Sequence, residues 1–454
     1  MSSFSVPFEA RYARRSDLRK NALHLVAAAD EKGQQKQFFS GTLVRPRHVA
    51  ELLRLLMTVV QARYHIPAAM LNRILAEADP IVTSSEDRLR FEGLSSCCGV
   101  YCRLDLFPEA VRDGQFGQGT TNVDFNPPML AALAKVRDTD KIEFVVEREG
   151  FELRKATESV VEKKVKLPVR WIRGLTEVQA CQSRMKLFHE ASGPDVWRFL
   201  RSFPRMKTSN REMWVVAAGR TLRLSQRPSK DGLRICGLER LRVLESCAAT
   251  AKSVQMFADE VTGASAWQLT FSDSRFTLVV SPEVWRGFSG EGQVLHQLAG
   301  KSWPAFVRRV KTRLRWQSQV DLKELQRQLG KETDENQIRD ALASLATQGL
   351  VGFDLSTGAW FHRELPFDLS QVEKHHPRLK DARKLLEENK VRIVKVTQDV
   401  AEVLVASSDV EHRVRIQGEE PHCTCPWFSQ YQNSRGPCKH ILAAQILLEE
   451  HHNE

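Results

Sequence analysis

No apolar run in this sequence approaches the length of a membrane span, and the N-terminus carries no uninterrupted apolar stretch of the kind that marks an export signal. These absences argue against transmembrane and secreted classes. Together with nine cysteines, they predict reduced thiols and a cytoplasmic protein. Arg11, Arg14, Arg15, Arg19 and Lys20 hint at a transit peptide, but the alternation Phe4-x-Val6-x-Phe8 reads more simply as an edge strand entering a fold.

Catalytic signatures are missing as well. There is no Gly-x-Gly-x-x-Gly after a strand, no His-Glu-x-x-His and no Gly-x-Ser-x-Gly. Gly300-Lys301-Ser302 looks like the end of a phosphate-binding loop, but that motif needs a glycine five positions earlier, where Leu295 stands. His375-His376 and His451-His452 lie in polar surroundings without carboxylate or thiol partners at useful spacing. The chain is therefore expected not to be an enzyme. A reactive thiol in Ser95-Ser-Cys-Cys-Gly-Val-Tyr-Cys102 is the sharp alternative; buried small side chains at Cys97, Cys98 and Cys102 in a strand are the plainer reading.

What is present begins with ordinary globular composition. Charged residues make up 27% and hydrophobic ones 42% of 454 residues, a length that suggests about three domains. The net charge of +11 makes a polyanionic partner admissible without requiring one, because scattered lysine and arginine are usually a solvated surface.

Near the C-terminus, identity and spacing together demand one chemistry. Cys423-Thr-Cys425 is followed by twelve residues and then Cys438-Lys-His440. Three thiolates and an imidazole are the donor set of a closed tetrahedral structural Zn²⁺ site, with ligands at about 2.0–2.3 Å. Residues two apart in an extended segment point the same way, so Cys423 and Cys425 can grip one ion. Gly436-Pro437 breaks the chain before Cys438, and Ile441 to Leu448 reads as a helix whose N-terminal dipole favours a thiolate. His422 is an alternative ligand that the neighbouring thiolates make redundant.

This Cys-x-Cys, loop, Cys-x-His pattern resembles the SWIM zinc finger, with all ligand positions filled. Short β-branched strands are expected at Val391 to Val396, Ala401 to Val405 and Arg413 to Ile416, with turns at Gln398-Asp399 and Ser407-Ser408-Asp409. SWIM modules are similar, with a small antiparallel sheet feeding the first ligand pair. The resemblance covers roughly residues 385 to 450.

Upstream, strands are expected at Val123-x-Phe125, Ile142 to Val146, Phe151 to Arg154 and Val160 to Leu167, with a helix from Pro127 to Val136. A similar order recurs: a strand Met185 to His189, a helix from Gly193-Pro194 through Phe203, then strands Met213 to Val216 and Thr221 to Leu224. A second helix, roughly Leu238 to Phe257, precedes strands Trp267 to Phe271 and Phe276 to Val280. The first part fits the scheme loosely, with helices Arg47 to Val60 and Pro67 to Ala78 before strands Arg88 to Phe91 and Val100 to Leu106. This repeated unit, with the phrase Lys141-Ile-Glu-Phe-Val-Val-Glu-Arg-Glu-Gly-Phe-Glu-Leu, resembles the building block of the DNA sliding clamps; a generic α+β scaffold is the competing reading. There is material for two such domains, too little for one chain to close a ring.

Between Ser302 and Phe367 the period changes. A basic helix Phe306 to Leu314 is followed by helices marked by Leu322, Leu325 and Leu329 and by Ile338, Leu342 and Leu345, ending at Gly330 and Gly349. A hairpin then pairs Leu350 to Phe353 with Trp360 to His362. Three helices and a hairpin are the order of a winged helix. The leading end of its third helix, Lys331-Glu-Thr-Asp-Glu-Asn-Gln-Ile-Arg-Asp340, carries four acids against two bases. Such a helix would be repelled by phosphates, so the module is expected to dock protein. The basic helix, with Arg308, Arg309, Lys311, Arg313 and Arg315, is the better polyanion candidate, against a solvated face as the plainer reading.

The sequence thus reads as an α+β multidomain chain: clamp-like domains at 1–178 and 179–290, a winged-helix domain at 291–370, a linker at 371–384 and a SWIM zinc finger at 385–454. With that order it resembles bacterial proteins encoded alongside a MoxR-type AAA+ ATPase and a von Willebrand factor A (VWA) domain protein, sets that form a chaperone-like ternary system. The resemblance implies a zinc-binding adaptor whose partners are that ATPase and the VWA protein. The rival expectation is a DNA-binding protein, with Trp427, Phe428, Tyr431, Arg435 and Lys439 beside the zinc loop stacking on bases and meeting phosphates. The same side chains can instead pack around the metal.

Overall fold

The alternating apolar and charged residues of Arg88–Leu94, Val100–Leu106 and Ser274–Val280 build the centre of the molecule. In the computed structural model, these strands belong to an eight-stranded antiparallel sheet. Its order is 186–191, 253–258, 265–270, 274–280, 100–106, 88–94, 81–85 and 119–122. The structure describes residues 5–10, 17–19, 22–27, 37–64, 79–123, 125–148, 165–204, 212–219, 221–283, 287–290, 292, 295, 305–330, 332–365, 377–397, 399–407, 409–418 and 420–453. The expected helix at 67–78, the strand at 151–154, the residues Gly300-Lys301-Ser302 and the pair His375-His376 lie outside them.

The seam of the sheet joins distant parts of the chain. Val100 to Leu106 pairs without interruption with Val280 to Ser274, so sequence assigned to two successive domains forms one hydrogen-bonded surface. Strand geometry sends alternate residues to opposite faces. Leu104 lies between Phe91 and Phe276 on the apolar face, and Asp105 lies between Arg90 and Arg275 on the other. The apolar face is covered by the helix Pro46–Gln61, which buries Val49, Leu52, Leu53, Leu56, Val59 and Val60 at helical spacing. Gly93 sits beneath it because a side chain there would overlap Val60.

Several elements match their expected positions closely: the helix Gly193–Arg201 and the strands Glu212–Ala218, Thr221–Ser225 and Ser265–Thr270. The helix expected over 238–257 does not run that length. Leu238–Leu241 is one helical turn, 3₁₀ turns follow at Arg242–Ser246 and Ala248–Thr250, and Ser253–Ala258 is a strand. Ala248 and Ala251 bring their carbonyls against Gly193, where an added Cβ would meet them at 2.3 and 2.2 Å. Val254 and Met256, two apart and buried, carry the strand period.

Other elements went unforeseen because burial erased their pattern. Ile81–Ser85 is buried throughout and shows no alternation. The helix Val169–Arg184 buries Thr176, Glu177, Gln179 and Gln182 beside Trp171 and Leu175, leaving no clean apolar stripe. At the N-terminus, Ser5–Ala10 pairs with Val165–Pro168. A separate five-stranded sheet orders 17–19, 22–27, 143–148, 37–43 and 111–116.

Helices Ala305–Lys311, Leu322–Leu329 and Glu335–Thr347 precede the hairpin Val351–Asp354 and Ala359–His362. Asp321 starts the second helix by accepting the Lys323 and Glu324 amides at 2.9 and 3.0 Å. The hairpin and its flanks cover the charged face of the large sheet. Asp354 takes Arg275 at 2.8 Å, Arg103 at 3.2 Å, Arg88 at 3.3 Å and Arg90 at 3.6 Å, and the Arg90 guanidinium lies 3.9 Å from the centre of the Phe361 ring. Arg363 pairs with Glu92, which also accepts the Tyr101 hydroxyl at 2.6 Å.

The C-terminal module has its own apolar core. A four-stranded antiparallel sheet, ordered 391–396, 400–407, 410–417 and 420–423, packs against the helices Pro377–Glu387 and Lys439–Asn453. Residues 377–384, expected as linker, belong to the first of these helices, because Leu379, Ala382 and Leu385 recur three apart and are buried in that core. Among the described residues no helix is long and apolar enough to cross a membrane.

Candidate metal centre

The strand Glu420–Cys423 pairs with Val410–Gln417 and ends with Cys423 opposite Val414, inside the module. Thr424 crosses over, and Cys425 caps the short helix Pro426–Tyr431, its Sγ accepting the Phe428 amide at 3.4 Å. Gln432 and Asn433 have left-handed backbone, as does Gly436, where that conformation costs nothing sterically. This loop returns the chain to Cys438, whose Sγ accepts the Ile441 amide at 3.4 Å, and His440 lies in the first turn of the following helix. Strand end, helix cap and helix start thus deliver the four side chains to one point.

All four are buried, and their ligating atoms lie within 4.8 Å of one another. The His440 Nδ1 is 3.8 Å from the Cys423 Sγ, and its Nε2 is buried with no hydrogen-bond partner among the described residues. Three crowded sulfurs compete for protons. Hydrogen bonds from Cys423 and Cys438 hold Cys425 far below the ordinary thiol range, while Cys423 is pushed well above it by Cys425 and Cys438. Such a cluster ionises fully only around a cation. The set fits one structural zinc ion, which would neutralise the thiolates and tie strand to helix. With four protein ligands the shell is closed.

His422 is exposed and outside this group; its ring meets Phe428 edge-on at 5.3 Å. Trp427 packs 4.5 Å from Tyr431, and its indole donates to the Gly436 carbonyl at 3.3 Å. The Arg435 guanidinium lies over Tyr431 and pairs with Glu283 of the body at 3.0 Å. Arg378 stacks on Trp427 at 4.7 Å and donates to the Arg435 and Pro437 carbonyls, both at 2.9 Å. Arg378 and Glu283 were not foreseen. They stand far from the motif in sequence, and nothing local marks them.

The other cysteine cluster is structural in its surroundings. Cys102 is in a strand, whereas Cys97 and Cys98 occupy the turn before it, Cys98 with left-handed backbone. All three are buried, and burial pushes the Cys102 thiol far up.

Comparison with protein families matches the SWIM zinc finger over residues 412–446, which include all four ligands. No curated protein matches the chain. Among solved structures, Proliferating Cellular Nuclear Antigen from Entamoeba histolytica is similar over 54% of this chain and 99% of its own, at 7% identity and a TM-score of 0.34. So loose a superposition supports no inference about this chain. The segment from His412 to Ile446 is thus similar to a SWIM zinc finger, built around a site for one structural zinc ion.

Proposed function

We propose that the protein is a non-catalytic adaptor whose zinc-held SWIM module and winged-helix domain dock other proteins, on a body of two sliding-clamp-like α+β domains. The observation that carries this reading is the closure of the metal site. Three sulfurs and an imidazole, buried together, leave zinc no position for water or substrate, so its contribution is shape. The module so shaped is seated on the body through the pair of Arg435 with Glu283, so a partner held by one is held near the other. The acidic start of Glu335–Thr347 supports protein docking rather than groove reading by the winged helix.

By resemblance, the partners are a MoxR-type AAA+ ATPase and a VWA-domain protein. The test mixes purified full-length protein with both and follows assembly by analytical ultracentrifugation. The expected result is a complex that forms with zinc-loaded protein and is lost after chelation. Sedimentation of the three as separate species would refute the adaptor role with these partners.

A further inference from the structure

On the α+β body, the helix Gly193–Arg201 lies beside the 3₁₀ turn Arg242–Ser246. Between them is an open hollow of about 390 Å³ lined by Trp197, Arg201, Arg242, Glu245 and Ser246. That size falls in the range of about 300–1,000 Å³ typical of small-ligand sites. Trp197 and Arg201 are four apart on the helix and therefore share a face. The Arg201 guanidinium lies over the indole ring, 4.8 Å from its centre, so an aromatic face and a cation are presented together. Arg201 is exposed, and no carboxylate among the described residues pairs with it. Across the hollow, Arg242 binds one oxygen of Glu245 at 3.1 Å through its Nε, leaving its other N–H groups and the second carboxylate oxygen available among the described residues.

We propose that this hollow is a nucleotide site. The Arg201–Trp197 pair takes the base by stacking, Arg242 takes phosphate, and Glu245 accepts a hydrogen bond from an exocyclic amino group. The stacking surface and the carboxylate acceptor address the base, and the guanidinium across the hollow addresses the phosphate. An acidic peptide would have no use for the indole or for Glu245. The carboxylate also sets a preference: bases bearing an amino group are favoured over uracil. The site uses residues of the body alone, so it is independent of the adaptor reading.

The same chemistry arrives as a free nucleotide or within a single strand, and two titrations of the full-length zinc-loaded protein separate them. AMP, CMP and UMP are titrated by calorimetry, and a labelled oligoadenylate is titrated by fluorescence anisotropy. AMP and CMP are expected to bind more tightly than UMP. Arg201→Gln and Trp197→Leu should each weaken binding by at least about tenfold, the scale of one lost base stack. Arg201 is exposed, so its variant keeps the melting temperature and reads binding alone. Oligoadenylate binding that depends on Arg201, without AMP binding, supports the site with a strand as its source. Failure of both the mononucleotides and the oligoadenylate to bind, or binding unchanged in Arg201→Gln, overturns the proposal.

Discussion

The zinc module and the hairpin of residues 351–362 are both small elements seated against a larger body, and they are held by opposite means. In the module, four soft donors converge on one point, and a single ion supplies the attraction that its small core lacks. In the hairpin, Asp354 meets four arginines, the buried Arg90, Arg103 and Arg275 and the partly buried Arg88, which the sheet supplements with Asp105. A metal site stabilises outright. A buried ionic network offsets a heavy desolvation cost, so its main product is a defined docking position, and it punishes the loss of one partner more than its presence helps.

That difference orders the experiments. Cys425→Ser, or chelation, should remove zinc and unfold the C-terminal module, since structural zinc contributes about 10–16 kcal/mol in small fingers. Elemental analysis should find the metal gone, and limited proteolysis should trim the chain behind the hairpin while the body survives. Full metal content with an unchanged protease pattern would mean the ligands are misassigned.

Asp354→Ala should cost about 3–5 kcal/mol, the scale for breaking a buried pair, because it leaves the guanidiniums of Arg90, Arg103 and Arg275 facing one buried carboxylate, Asp105. Denaturant unfolding should show the loss, and the module should keep its zinc. Equal losses from Asp354→Ala and from a change at exposed Arg47 would rule out the latch.

Acid should discriminate between the regions more gently. Burial alone would raise the Asp354 and Asp105 carboxyls, but Arg103, Arg275 and Arg90 outweigh it and hold both below the usual range. Their folded values lie under the unfolded value of about 3.9. The stabilisation is therefore fully present above that value and is lost as pH falls through the folded values. Hairpin docking, followed by fluorescence of Trp360, should hold down to about pH 4 and fail only below it. Failure near pH 6 would show that other groups control it.

The smallest effect is expected at the bridge between module and body. Arg435→Ala removes the partly exposed pair with Glu283 and should cost about 1 kcal/mol or less, visible as faster hydrogen exchange around Trp427 with zinc retained. No change at all would mean that contacts other than the Arg435–Glu283 pair seat the module.

The contrast also explains what the sequence made legible. The zinc site was readable because its ligands are rare residue types at short spacing, and every member lies within one small module. The hairpin and its helices are readable from leucine spacing, from Gly330 and Gly349, and from the apolar runs Leu350 to Phe353 and Trp360 to His362. The latch was not. Arg90, Arg103, Asp105 and Arg275 alternate along their strands as surface residues do, and only the cover supplied by the Asp354 hairpin reveals that they are buried. In the same way, Leu238 to Phe257 has enough leucine and alanine to suggest one helix. Its 3₁₀ turns follow from contact with Gly193, a tertiary fact that no local window contains.

The seam between Val100–Leu106 and Ser274–Val280 carries a consequence for how the chain is made. During synthesis the early strands leave the ribosome with one edge bare, and the residues that close it emerge only after the whole stretch between Leu106 and Ser274 has been added. Closing so long a loop is slow. The newborn N-terminal half must wait with an open, strand-ready border, and a chain truncated before Ser274 is condemned to keep it.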